Sequence, residues 1–156
     1  MIQHKPLRIP AAEKQELRAQ FGALCYRIRK DKVQILLVTG RRSGRWIIPK
    51  GWPINGETPA ASAMKEAWEE AGVLGKQAGD CLGVFAHYRA DPEIKHPNLV
   101  AVFPVVVKSV TKEFPEAGER RRKWFSVKKA AAQVHNSELA QLIEAFGRHL
   151  TGRKLH

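Results

Sequence analysis

The sequence predicts an α/β fold, a mixed and curved sheet flanked by helices, and three observations carry that expectation. Runs rich in Val, Ile, Leu and Phe recur between polar or Gly/Pro turns. One amphipathic segment near the middle opens on a capping residue and stops on a glycine. Two further helix-like segments close the chain. With 156 residues, 44% apolar and 27% charged, the chain has the length and composition of one folded domain. A single domain over 1–156 is expected, with 1–19 as a peripheral N-terminal segment.

Taken in order, Pro6 and Pro10 interrupt a polar start, and Ala11–Gln20 suits one or two helical turns. Gly22–Ile28 and Val33–Thr39 flank a polar Arg29–Lys32 turn and read as an antiparallel hairpin. Gly40–Gly44 is a basic loop, and Arg45–Pro49 a short strand. Thr58 caps the central helix, Pro59 takes its first position and Gly72 ends it. The stripe Ala60, Met64, Ala67, Trp68 and Ala71 is apolar enough to dock on a core. Two β runs follow, Cys81–Tyr88 and Leu99–Val107, around a polar loop. Pro104 suggests an edge position or a bulge in the second. Lys123–Val127 is a short strand, and Lys128–Val134 and Ser137–Leu150 are helix candidates.

A net charge of +12 and a pI of about 10.1 imply an anionic partner: nucleic acid, a membrane surface or a polyphosphorylated small molecule. No apolar run approaches the roughly 20 residues needed to span a bilayer. Met1–Pro6 shows no hydrophobic signal core, so a cytoplasmic location is expected. Cys25 and Cys81 lie in apolar strand-like runs and read as reduced core residues.

The chemistry concentrates between Gly51 and Val73. Glu66, Glu69 and Glu70 share one helix face, since residues three and four apart are neighbours. Stacked carboxylates repel one another, and a divalent cation such as Mg²⁺ or Mn²⁺ is one remedy. A solvated acidic face is the other reading. Glu57, at the loop-to-helix junction, could reach the same cation.

The spacing Gly51, five residues, Glu57, seven residues, Lys65-Glu66-Ala67, one residue, Glu69-Glu70, one residue, Gly72-Val73 resembles the Nudix box. Lys65 stands where that signature has arginine. The resemblance implies an α/β/α sandwich and a Mg²⁺-dependent hydrolase of phosphoanhydride bonds. It also implies Glu66, Glu69, Glu70 and the Gly51 carbonyl as metal ligands, with Glu57 as an outlying member and Glu66 or Glu70 as general base. Lys65 would offer a mobile point charge where the family has a planar fork.

Outside the box, Ala23–Arg27, Arg45–Gly51, Leu82–Phe85 with Lys95-His96, and Arg120–Phe125 resemble the diphosphoinositol polyphosphate phosphohydrolases, which also hydrolyse diadenosine polyphosphates. That likeness implies phosphate contacts at Arg27, Arg45, Lys95 and His96. Arg41, Arg42, Arg45 and Lys50 flank the motif and are candidate phosphate clamps by proximity in sequence. Arg120–Lys123 reads as surface charge, because strand alternation points some of its members away from any site. The expected partner is an anionic polyphosphorylated small molecule, with RNA the weaker choice, no membrane, and a monomer favoured. Removal of pyrophosphate from RNA 5′ ends is the alternative reaction, and a basic phosphate- or nucleic-acid-binding module the non-enzymatic one. The acidic cluster argues against a pure anion binder.

Overall fold

The structure, a computed structural model, describes residue 6, residues 18–88, residue 93 and residues 96–154. In chain order its elements are β1 (Ala19–Arg29), β2 (Lys32–Thr39), β3 (Trp46–Ile47), β4 (Lys50–Gly51), α1 (Pro59–Ala71), β5 (Val73–Gln77), β6 (Gly83–His87), β7 (Asn98–Val110), β8 (Arg122–Ser126), α2 (Val127–Gln133) and α3 (Ser137–Lys154). Of the helix expected over Ala11–Gln20, residues 11–17 lie outside the described residues, while Ala19 and Gln20 open a strand instead.

The eight strands form one mixed sheet along the path β3-β2-β1-β7-β5. β1 and β2 make the expected hairpin, closed by Lys30 and Asp31 at φ 50° and 64°. Two left-handed turn residues match the right-handed twist of the flanking strands. β7 runs parallel to β1, with Ala19 opposite Leu99 and Tyr26 opposite Val106. β4 pairs with the start of β1, Phe21 opposite Gly51, and so delivers the motif to the sheet.

Strand alternation then builds two cores. Leu24, Tyr26, Ile35, Leu37, Val100 and Val102 pack with α2 and α3 on one face. Ala23, Cys25, Leu36, Val38, Phe103 and Val105 meet Ala60, Ala63, Ala67 and Ala71 of α1 on the other. Each fully buried large side chain contributes about 1.5–3 kcal/mol, and the alanines let α1 lie close to the sheet. The result is the expected helix–sheet–helix sandwich.

Four expectations are corrected. Pro104 sits in the central strand β7, at neither an edge nor a bulge. Its oxygen accepts from Ala78 N–H (2.9 Å), and Leu82 N–H bonds Val102 oxygen (2.8 Å). Pro104, with no N–H to give, therefore falls in the seam where β5 ends and β6 begins. Cys81 is exposed, because β6 starts two residues after it; Cys25 alone is a core thiol. Met64 packs on the core as expected, but Trp68 is only half-buried and outside it, and Glu70 joins the buried stripe of α1. β5 was not anticipated; its Val-Leu-Gly-Lys-Gln carries no clear alternation, and pairing with β7 makes it a strand.

Candidate active site

α1 owes its position to its ends. Thr58 accepts a hydrogen bond from Ala61 N–H, Pro59 occupies the first turn, and Gly72 closes the helix in the left-handed region at φ 67°. Arg122 Nη1 donates to the Ala71 carbonyl at 2.6 Å, a cation at the negative end of the helix dipole. With both ends fixed, β4 and α1 face each other closely. A Cβ added to Gly51 would stand 2.2 Å from Glu66 Cδ, so the Glu66 carboxyl occupies the space that any side chain at 51 would fill.

Glu66 and Glu70, one turn apart, bring their carboxyl groups together. Two carboxyls this close favour keeping one proton between them when no cation is present. Glu70 is only 4% exposed, and its Oε1 accepts from Lys50 N–H at 3.4 Å. Burial, followed by the bond from Glu66, pushes the Glu70 carboxyl up to about 9 against the opposing pull of Arg120. Burial also raises Glu66, with Glu69 and Glu116 adding to it, while the bond with Glu70 and the charge of Arg120 oppose. Cys25, beneath the pair, is driven up to about 12 by burial and then by Glu70, which makes it an inert thiol.

Arg120 is the member of this site that the sequence reading left on the surface. Its side chain is 12% exposed, with Nη2 3.7 Å from Glu70 Oε1, Nε 2.9 Å from Glu116 Oε1 and Nη1 3.1 Å from the Thr39 carbonyl. Glu116 also meets Arg41 at 3.6 Å, and its N–H bonds the Glu69 carbonyl at 3.0 Å. Nothing local in the run Arg120–Lys123 singles out its first residue; only the fold brings it to a carboxylate fifty residues upstream.

A groove of about 1450 Å³ opens beside the pair. Glu70 and Arg120 line it together with Arg41, Arg42, Arg45 and Lys50, so the expected phosphate clamps share a groove with Glu70, while Glu66 and Glu69 are not among its lining residues. His87, Tyr88 and His135 form part of its other wall. Glu69 is half-exposed beside the pair. Glu57 is exposed in the loop before α1, where its N–H bonds Ile54 oxygen at 3.0 Å. His96 is exposed ahead of β7, and Lys95 lies outside the described residues.

Arg27 is not brought to the site. Its Nε donates to Gln34 at 2.7 Å and its guanidinium lies 4.0 Å from the Trp124 ring centroid. It stands five residues along β1 from Gly22, roughly 17 Å at strand rise.

Among the described residues no three carboxylate, imidazole or thiolate side chains close into a cage for a metal ion. The arrangement is instead an open one, two adjoining carboxyls against a bare glycine backbone. Such a donor set fits Mg²⁺ or Mn²⁺, which keep waters and substrate oxygens in their shell.

The NUDIX domain model matches residues 18–146. Human diphosphoinositol polyphosphate phosphohydrolase 3-alpha is 32% identical over 142 residues, covering 90% of this chain and 84% of the relative. Nudix hydrolase 21, chloroplastic, of Arabidopsis thaliana is 31% identical over 134 residues, covering 83% and 66%. Among solved structures, the Ap4A hydrolase of C. elegans superposes with a TM-score of 0.70 at 22% identity, over 86% of this chain and 98% of that one. That likeness shows the fold. With the matched model spanning both faces of the sheet and the carboxylate helix, the chain belongs to the NUDIX hydrolase family.

Proposed function

We propose that this hydrolase cleaves phosphoanhydride bonds of diphosphoinositol polyphosphates, diadenosine polyphosphates or both, using Mg²⁺ or Mn²⁺. One observation carries the reading: the adjoining Glu66 and Glu70 carboxyls are set against Gly51, with Glu70 lining a groove that Arg42, Arg45 and Lys50 also line. Glu66, Glu70 and Glu69 would hold the cation with the Gly51 carbonyl, and Glu57 is an outlying candidate. When bound, the cation supplies Lewis acidity and a water of lowered pKa.

The chain's own residues do the rest. Arg42 and Arg45 offer forks to phosphate oxygens in pairs, and Lys50 adds a point charge next to Glu70. They position the anhydride against the carboxylates, which is most of what phosphoryl transfer asks of a protein. The Glu66–Glu70 pair is the proton acceptor for the attacking water. His96 and Lys95, ahead of β7, are further candidates for phosphate contact. The human relative named above, a diphosphoinositol polyphosphate phosphohydrolase, supports the substrate class. A cytoplasmic location fits the two free cysteines, one of them exposed.

The test is a substrate panel of inositol pyrophosphates, diadenosine tetra- to hexaphosphates and triphosphorylated RNA, with Mg²⁺ or Mn²⁺ and identification of products. Hydrolysis of the first two groups is expected. RNA pyrophosphohydrolysis alone would replace the substrate class. No hydrolysis, with tight nucleic-acid binding instead, would overturn the enzymatic reading.

A further inference from the structure

We infer that Arg120 is a positioning residue for hydrolysis: its guanidinium, anchored from two sides, fixes the Glu70 carboxyl relative to Glu66 and Gly51. Three nitrogens of one planar fork meet three different parts of the chain. Nη1 holds the Thr39 carbonyl at the end of β2 (3.1 Å), Nε holds Glu116 in the loop before β8 (2.9 Å), and Nη2 faces Glu70 on α1 (3.7 Å). The first two contacts would suffice to tie the loop down. The third is directed at the acid that lines the groove.

The anchor is itself braced. Glu116 is fixed to α1 through the Glu69 carbonyl and meets Arg41 as well, so the fork does not depend on Glu70 for its orientation. The family signature's arginine position cannot supply this contact, because Lys65 is exposed and makes no ion pair among the described residues. A lysine at 120 would keep the charge but could not serve three acceptors in one plane.

The inference rests on the hydrolytic reading above, and its test separates the two. Arg120→Lys, Arg120→Gln and Glu119→Ala are compared with the wild type for thermal midpoint, for kcat and KM on the best substrate of the panel, and for Mn²⁺ affinity by calorimetry. Glu119→Ala loosens the same loop by breaking its 3.4 Å contact with Arg41, and leaves the fork intact. Arg120→Lys is expected to fold, to lose about 10- to 100-fold in kcat and in Mn²⁺ affinity, and to change KM less than about threefold. Glu119→Ala is expected to keep wild-type kcat.

Wild-type kcat and Mn²⁺ affinity in Arg120→Lys would overturn the inference. So would failure of that variant to fold, or an equal loss of kcat in Glu119→Ala, since either makes the role structural. A wild type that hydrolyses nothing removes the functional reading instead, and Mn²⁺ affinity then decides the part played by Arg120.

Discussion

The two ends of the β1–β2 hairpin are both crowded with charge, and they differ in kind. At the Gly22 and Thr39 end, the carboxyls of Glu70 and Glu116 interleave with the guanidinium groups of Arg120 and Arg41. Two of these side chains, those of Arg120 and Glu70, are no more than 12% exposed. At the other end Arg29 pairs directly with Lys32, Lys30 sits in the turn between them, and all three are exposed. Like charges directly opposite cost a few tenths of a kcal/mol, and water and salt screen most of that at the surface. A surplus of positive charge therefore does not mark a site in this chain. A buried carboxyl cluster with a guanidinium held among fixed backbone groups does.

Breaking the buried end should have the largest effect. Glu70→Gln should lower turnover on the order of 10²–10³-fold. The fold should persist, because the amide resembles the protonated carboxyl that the buried site already favours; circular dichroism and kcat measured together check this. Gly51→Ala comes next. The atoms in its way are all of the Glu66 side chain, from Cγ to the carboxyl, and that side chain can rotate out toward the half-exposed side of α1. The thermal midpoint should thus change little, while turnover falls about 10- to 100-fold as Glu66 leaves its place. Unchanged turnover in Gly51→Ala would detach Glu66 from the chemistry.

The contrast also has a pH signature in metal-free protein. The Glu70 carboxyl titrates at about 9 in the fold against 4.5 for an ordinary glutamate, so the folded state holds the proton more tightly than the unfolded chain. Its contribution to stability is complete below about pH 4.5 and is lost as pH rises towards 9. The thermal midpoint should fall over that window with chelator present, and Glu70→Gln should flatten the decline. An equal decline in both proteins would place the titration elsewhere.

The smallest effects belong to the other end. Arg27→Ala should leave turnover within about twofold and cost about 1 kcal/mol in urea unfolding, from its bond to Gln34 and its stacking on Trp124. A large rise in KM would restore Arg27 to the phosphate site.

Local chemistry made much of this legible. Thr58, Pro59 and Gly72 announce the bounds of α1 because caps act within a few residues. Alternation in β1 and β2 announces two faces because each strand is buried on both. The Glu66–Glu70 spacing announces a shared face, though not that Glu70 points into the protein. What escaped was decided at long range. β5 is a strand because β7 is beside it, Pro104 is tolerated because two partners meet at its seam, and Arg120 matters because the Thr39 carbonyl and Glu116 turn it towards Glu70. Arg27 shows the converse: a basic residue in a resembling segment, carried by strand geometry to the far end of the sheet.

The central claim is that the Glu66–Glu70 pair is a cation seat that shares a proton when no cation is present. Calorimetric titration of Mn²⁺ at pH 7, in two buffers of different ionisation enthalpy, counts the protons released on binding. Release of about one proton per ion, with binding lost in Glu70→Gln, is the predicted result. Binding without proton release, or undiminished binding in Glu70→Gln, would contradict it.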